Sequence, residues 1–155
     1  MSKHSERAAE LFREGYNCSQ SVFGAFVDEI NMDYDTAMRV SSAFGGGMGR
    51  MREVCGALTG QFMIAGLLYG YSEAVGHDGE PKLRLYELIQ DIAAKFKAEN
   101  GSIMCRDLLG ETAGPASFVP SERTPEYYQT RPCEEIVRLA AIQMDELIER
   151  KKENK

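Results

Sequence analysis

The chain has 155 residues, 43% of them hydrophobic, enough to build one core without disulfide or metal staples. Its net charge of −6 comes from acidic residues spread along the chain. No basic block and no alternation of arginine with aromatics occurs, which argues against a nucleic-acid partner.

The N-terminal "MSKHSERAAELF" lacks the apolar stretch of a signal peptide. The most apolar run, Phe62 to Tyr69, is far short of the roughly 20 residues a bilayer span needs. A soluble, cytoplasmic protein without a membrane partner is expected, in a compartment that keeps thiols reduced.

Nearly every patterned segment has helical period. Ser5 to Arg13 predicts a short helix with Ala8, Leu11 and Phe12 on its apolar side, stopped by Gly15. Asn17 then reads as a helix cap with Gln20 in the capping-box position, followed by the stripe Val22, Phe23, Phe26, Val27 and Ile30. Asp33 caps a third helix to about Phe44, ended by Gly45, Gly46 and Gly47.

The loop "GGGMGRMREV" leads to Cys55 and a fourth helix to about Tyr69 that holds Gly56, Ala57, Gly60, Ala65 and Gly66. Each helix-interior glycine costs up to about 1 kcal/mol against alanine, so another helix or a bound group is expected to come close to this backbone. Pro81 opens a fifth helix with the stripe Leu85, Leu88, Ile89, Ile92, Ala93 and Phe96, and Asn100–Gly101 closes it. Ser102 is a candidate cap ahead of Cys105. Residues 110–130 lack periodicity and read as a long surface crossing. Pro132 and Cys133 open the last helix, with Ile136, Val137, Ala140, Ala141, Met144, Leu147 and Ile148 on its apolar face. The predicted fold is an all-α, single-domain bundle of five or six amphipathic helices over residues 1–155.

The four cysteines, Cys18, Cys55, Cys105 and Cys133, all stand at or near predicted helix starts. Unpaired N–H groups and the positive end of the helix dipole favour a thiolate there, the form that both redox chemistry and soft metals require. The alternative is that each is a small buried hydrophobe. No C-x-x-C occurs, which argues against a thioredoxin-like dithiol, zinc ribbons, linear ferredoxin signatures and covalent haem attachment.

This series of Cys18, "GGGMGRMREVCGALTG", Cys105 and Cys133 resembles a family of small bacterial and archaeal redox-active proteins. The family is named for one cysteine, a Gly-Cys-Ala-x-x-Gly segment and two further single cysteines (C_GCAxxG_C_C), and the resemblance runs from about residue 16 to residue 148. It assigns Cys18 as the first cysteine and Cys55 as the second. Gly56, Ala57 and Gly60 match the small-residue segment, and Cys105 and Cys133 are the last pair. One departure stands out: Val54 precedes Cys55, and the glycine follows it. Related sequence lies beside the haem-binding part of split-Soret cytochromes, and the transferable implication is an iron–sulfur centre.

Other candidates carry less. The "GGGMGRM" loop lacks the Lys-Ser/Thr of a P-loop and follows no strand. A nest of N–H groups around a sulfur or an anion is the better account, with Arg50 or Arg52 able to lower the pKa of Cys55. His4 is expected in a disordered start and His77 in a polar surface loop. Tyr127 and Tyr128 either anchor the crossing or cover the cysteines, and the methionines read as core filler.

The leading expectation is that Cys18, Cys55, Cys105 and Cys133, with Gly56 and Gly60 beside them, converge to ligate an iron–sulfur cluster for electron transfer with a redox partner. A metal-free thiol/disulfide pair is one alternative. A zinc site is another, and a helical interaction module, for example a homodimer through the small-residue helix, is a third.

Overall fold

The computed structural model describes residues 2–154. It is all-helical, but in more pieces than the periodicity suggested. Among the described residues there are ten α-helical segments, a 3-10 turn at Gly110–Ala113, and no strand beyond an isolated antiparallel bridge between Val54 and Met104.

The first helix, α1 (Lys3–Arg13), begins earlier than expected because Ser2 and Ser5 cap each other. The Asn17 box forms as predicted. Asn17 accepts from the Gln20 N–H at 2.9 Å, and Gln20 accepts from the Asn17 N–H at 3.1 Å. The helix it opens, α2 (Cys18–Ala25), stops at Phe26 (φ −107°, ψ 16°), and one further turn, α3 (Val27–Ile30), finishes the stripe. Asp33 caps α4 (Tyr34–Ser42) through the Thr36 N–H at 2.8 Å.

The triple glycine does not simply end that helix. It forms a single turn, α5 (Gly45–Met48), and starts a run with positive φ at Gly46, Gly47, Met48, Gly49, Arg50 and Arg52. Helices α6 (Gly56–Tyr69), α7 (Glu80–Asn100) and α10 (Cys133–Glu153) follow the sequence closely, with short α8 (Cys105–Leu109) and α9 (Pro125–Thr130) between the last two.

Helix α2 occupies the middle, against α1, α4, α6 and α10. Phe12, Phe23, Phe26, Leu58, Ile64, Phe96 and Met144 are essentially fully buried in one apolar cluster. A buried side chain of this kind contributes on the order of 1.5–3 kcal/mol. The predicted stripe of α7 is deeply buried at Ile92 and Phe96 and half-buried at Leu85, Leu88, Ile89 and Ala93.

The group that approaches the small-residue helix is α2. A Cβ at Gly60 would stand 3.0 Å from the Val22 Cβ and 3.2 Å from the Ser19 carbonyl; at Gly56 it would stand 2.9 Å from the Ser19 nitrogen. Gly66 faces open space. His4 corrects the expectation of a disordered start. It is buried in α1, stacked on Phe26 at 4.1 Å, with Nδ1 2.6 Å from Asp145 and Nε2 3.0 Å from Asp28. Only some methionines are core: Met38 and Met144 are buried, whereas Met51 is 67% exposed.

The two α6 glycines predict opposite outcomes in chemical denaturation. Gly60→Ala forces α2 outward and costs about 1–3 kcal/mol. Gly66→Ala meets nothing within 4 Å and gains up to about 1 kcal/mol of helix propensity. Equal effects at both positions would refute the close α2–α6 approach as the reason for Gly60.

Candidate functional site

All four cysteines stand where helices begin. Cys18, Cys105 and Cys133 are the first residues of α2, α8 and α10, and Cys55 is the N-cap of α6. Two local devices gather them. The α2–α6 contact over Gly56 brings the Cys18 Cβ to within 3.2 Å of the Cβ position that glycine leaves empty. The bridge between residues 53–55 and 103–105 aligns the other pair, with Cys55 N–H donating to the Ile103 carbonyl at 2.8 Å and Cys105 N–H to the Glu53 carbonyl at 2.6 Å.

As a result Cys18, Cys55, Cys105 and Cys133 line one cavity of about 60 Å³, and all four are free thiols. No three of the sulfurs lie mutually within 4.8 Å. Gly56 is part of the wall. Gly60 stands one turn further along, under Val22, and does not reach the cavity. His77 is exposed in its loop, away from the cysteines.

The glycine-rich run builds one side of the wall. Gly46 and Gly47 line the cavity. At Gly47 a Cβ would come within 2.6 Å of the Cys105 Cβ, and φ is +75°, so glycine alone seats Cys105 there. Met48, Arg50 and Arg52 also have φ between 61° and 68°. Non-glycine residues held there cost of order 1–3 kcal/mol each and persist only when their surroundings fix them. The fixing is visible for both arginines. Arg50 donates to the carbonyls of Pro115 (3.1 Å) and Ser117 (2.8 Å), and Arg52 donates to the Ala113 carbonyl (2.8 Å) and the Cys105 sulfur (3.6 Å). Arg52 therefore acts on Cys105 and not, as the sequence suggested, on Cys55.

Two wall residues carried no signal in the sequence, since Arg123 and Arg131 sit in or beside the aperiodic crossing. Arg123 lies over the Phe12 ring at 4.3 Å and donates to the carbonyls of Phe12 (2.8 Å) and Tyr16 (2.9 Å). Arg131 lies over the Tyr127 ring at 4.5 Å and donates to the carbonyl of Thr112. Tyr127 lines the cavity; Tyr128 packs edge-on against Phe12 and anchors the crossing.

The protonation pattern separates the four thiols. Burial pushes Cys55 up to about 12, against the opposing pull of the nearby Ala57 and Leu58 N–H groups at the start of α6. Burial also raises Cys105 against the opposing pull of Arg52. Cys18 and Cys133 act on each other: hydrogen bonding toward Cys133, and then burial, raises Cys18 well above the ordinary range. The same hydrogen bond lowers Cys133, helped by the charges of Arg131, Arg123 and Arg52. The lowered thiol expected at all four helix starts is found only at Cys133, where Cys18 and the guanidinium charges account for it; at Cys55 and Cys105 desolvation is the largest effect.

Residues 16–147 match the family described as "Putative redox-active protein (C_GCAxxG_C_C)". The chain belongs to this family. It is also 31% identical over 111 residues to a protein of Archaeoglobus fulgidus described only as uncharacterized, an alignment covering 68% of this chain and 74% of that protein. No solved structure matches. Among the described residues no helix is long and apolar enough to cross a membrane.

Two pH experiments follow. Because Cys55 is raised from 9.0 to about 12, its neutral form favours the fold below pH 9.0, and this contribution is lost as pH rises through that interval. The melting temperature is expected to fall over this range less steeply in Cys55→Ala than in the wild type; identical slopes would refute the assignment. Cys133, the lowered thiol, is expected to react with iodoacetamide ahead of the other three at neutral pH, as read by peptide mass spectrometry. Cys18→Ala should slow it by removing the stabilising hydrogen bond.

Proposed function

We propose that this protein is an electron-transfer protein whose four cysteines ligate an iron–sulfur cluster. The observation that carries this reading is the single cavity lined by Cys18, Cys55, Cys105 and Cys133, drawn from four separate elements of the fold. The donor set suits it, since four thiolates are the usual ligands of such clusters.

Spacing favours a polynuclear group over zinc. A tetrahedral zinc–thiolate site, with bonds of about 2.3 Å, holds its sulfurs about 3.8 Å apart. No three of the sulfurs here lie inside 4.8 Å of one another, so the four are not gathered as a zinc tetrahedron requires.

When bound, such a cluster supplies a centre that accepts and releases single electrons. The chain's own residues do the rest. Arg52, Arg123 and Arg131 offset the negative charge that four thiolates bring into a buried place, and no carboxylate is among the lining residues to oppose them. Phe12, Leu108, Leu109 and Ile136 exclude water from the remaining wall. The Ala57 and Leu58 N–H groups at the start of α6 lie close enough to Cys55 to favour its thiolate, the kind of backbone influence that tunes a cluster potential.

One observation favours a second reading. Cys18 and Cys133 line the same cavity as free thiols, and their interaction raises Cys18 while lowering Cys133, an arrangement that suits a dithiol closing to a disulfide by giving two electrons to an acceptor. In that case Cys55 and Cys105 take no part.

Anaerobic reconstitution with iron and sulfide distinguishes the two. The cluster reading expects brown protein with bound iron and acid-labile sulfide, both reduced by alanine at any one of the four cysteines. Colourless protein that forms a Cys18–Cys133 disulfide on oxidation, mapped by non-reducing peptide analysis, would replace it with the dithiol reading. Colourless protein holding zinc would refute both.

A further inference from the structure

Outside the cysteine cavity lies a wider one of about 300 Å³, and the two share Asn17, Gly46, Arg52, Arg123, Tyr127 and Arg131 as wall. Arg50 joins the wall of the outer one, so that four guanidinium groups face a single opening. No Asp or Glu lines either cavity.

The charge balance at this opening is unusual for the molecule. Arg7, Arg13, Arg39, Arg84, Arg106 and Arg138 each pair with a carboxylate within 4.0 Å. Among the described residues, Arg50, Arg52, Arg123 and Arg131 do not, and apart from Arg150 in the last turns of α10 they are the arginines without such a partner; their acceptors are carbonyls, hydroxyls and the Cys105 sulfur. Such partners satisfy donors but leave the positive charges uncompensated in a chain whose net charge is −6. Arg52 Nε is buried and has no acceptor. The groups also feel one another: burial, and then the charges of Arg52 and Arg131, lower the pKa of Arg50.

We propose that this vestibule binds a small anion carrying two or more negative charges, a phosphate-bearing or polycarboxylate molecule, and presents it to the cysteine cavity. Planar guanidinium forks suit either oxyanion. That the anion is a redox substrate rests on the electron-transfer reading above; that it binds does not.

The test is calorimetric titration of the full-length, reduced, metal-free protein with inorganic phosphate and, separately, with citrate at constant ionic strength. One-to-one saturable binding of either supports the site, and the arm that binds identifies the class. Arg50→Gln is expected to weaken it about tenfold or more. Binding of neither probe, or equal binding by a folded Arg50→Gln variant, overturns the proposal. Should that variant fail to fold, the wild type decides: saturating anion is expected to slow iodoacetamide labelling of Cys133, and an unchanged rate overturns the site. Failure to take up iron would sink the cluster reading and leave this result standing.

Discussion

The arrangement of the sulfurs depends on how closely one helix backbone can lie against another. Glycine at positions 56 and 60 lets α2 rest on α6 at a distance an added Cβ would crowd, with Ser19 and Val22 filling the space. Because Cys18 opens the first of these helices and Cys55 caps the second, this contact brings two sulfurs to the same end of the bundle. The remaining two follow from it. The backbone bridge at Val54 ties Cys105 to Cys55, and α10, packed on both α1 and α2, carries Cys133 to the other side.

The electrostatics of the site result from competition between two effects. Helix starts favour thiolates, and burial in an apolar wall opposes them. Burial prevails at Cys55 and Cys105, whereas the Cys18 hydrogen bond and the nearby guanidinium groups reverse the outcome at Cys133. On the proposed ligand role, thiols held protonated by burial would release their protons when the group binds, which would link occupancy to pH.

Much of the frame was legible in the residues. Asn17 with Gln20, Asp33, Pro81 and the Asn100–Gly101 stop each did what local chemistry dictates, because capping depends on neighbours a few positions away. The placement of all four cysteines at helix starts could be read for the same reason. The wall of the site could not. Arg123 and Arg131 act across more than a hundred and about twenty positions, on Phe12 and Thr112, and no local pattern encodes such reach. The left-handed turn at Arg50 and Arg52 was hidden too, since it opposes intrinsic preference and persists only through carbonyls on the distant crossing. The break at Phe26 likewise interrupts an uninterrupted apolar stripe.

The segment from Gly114 to Thr124 has no helix of its own and is held down by arginine forks grasping its carbonyls and Ser121, with Phe118 almost fully in solvent. Fastenings of this sort release at a fraction of the free energy that unravels packed helices. Through Arg123 the wall of the cysteine cavity therefore borrows one of its sides from a strap fastened by hydrogen bonds and not by buried packing.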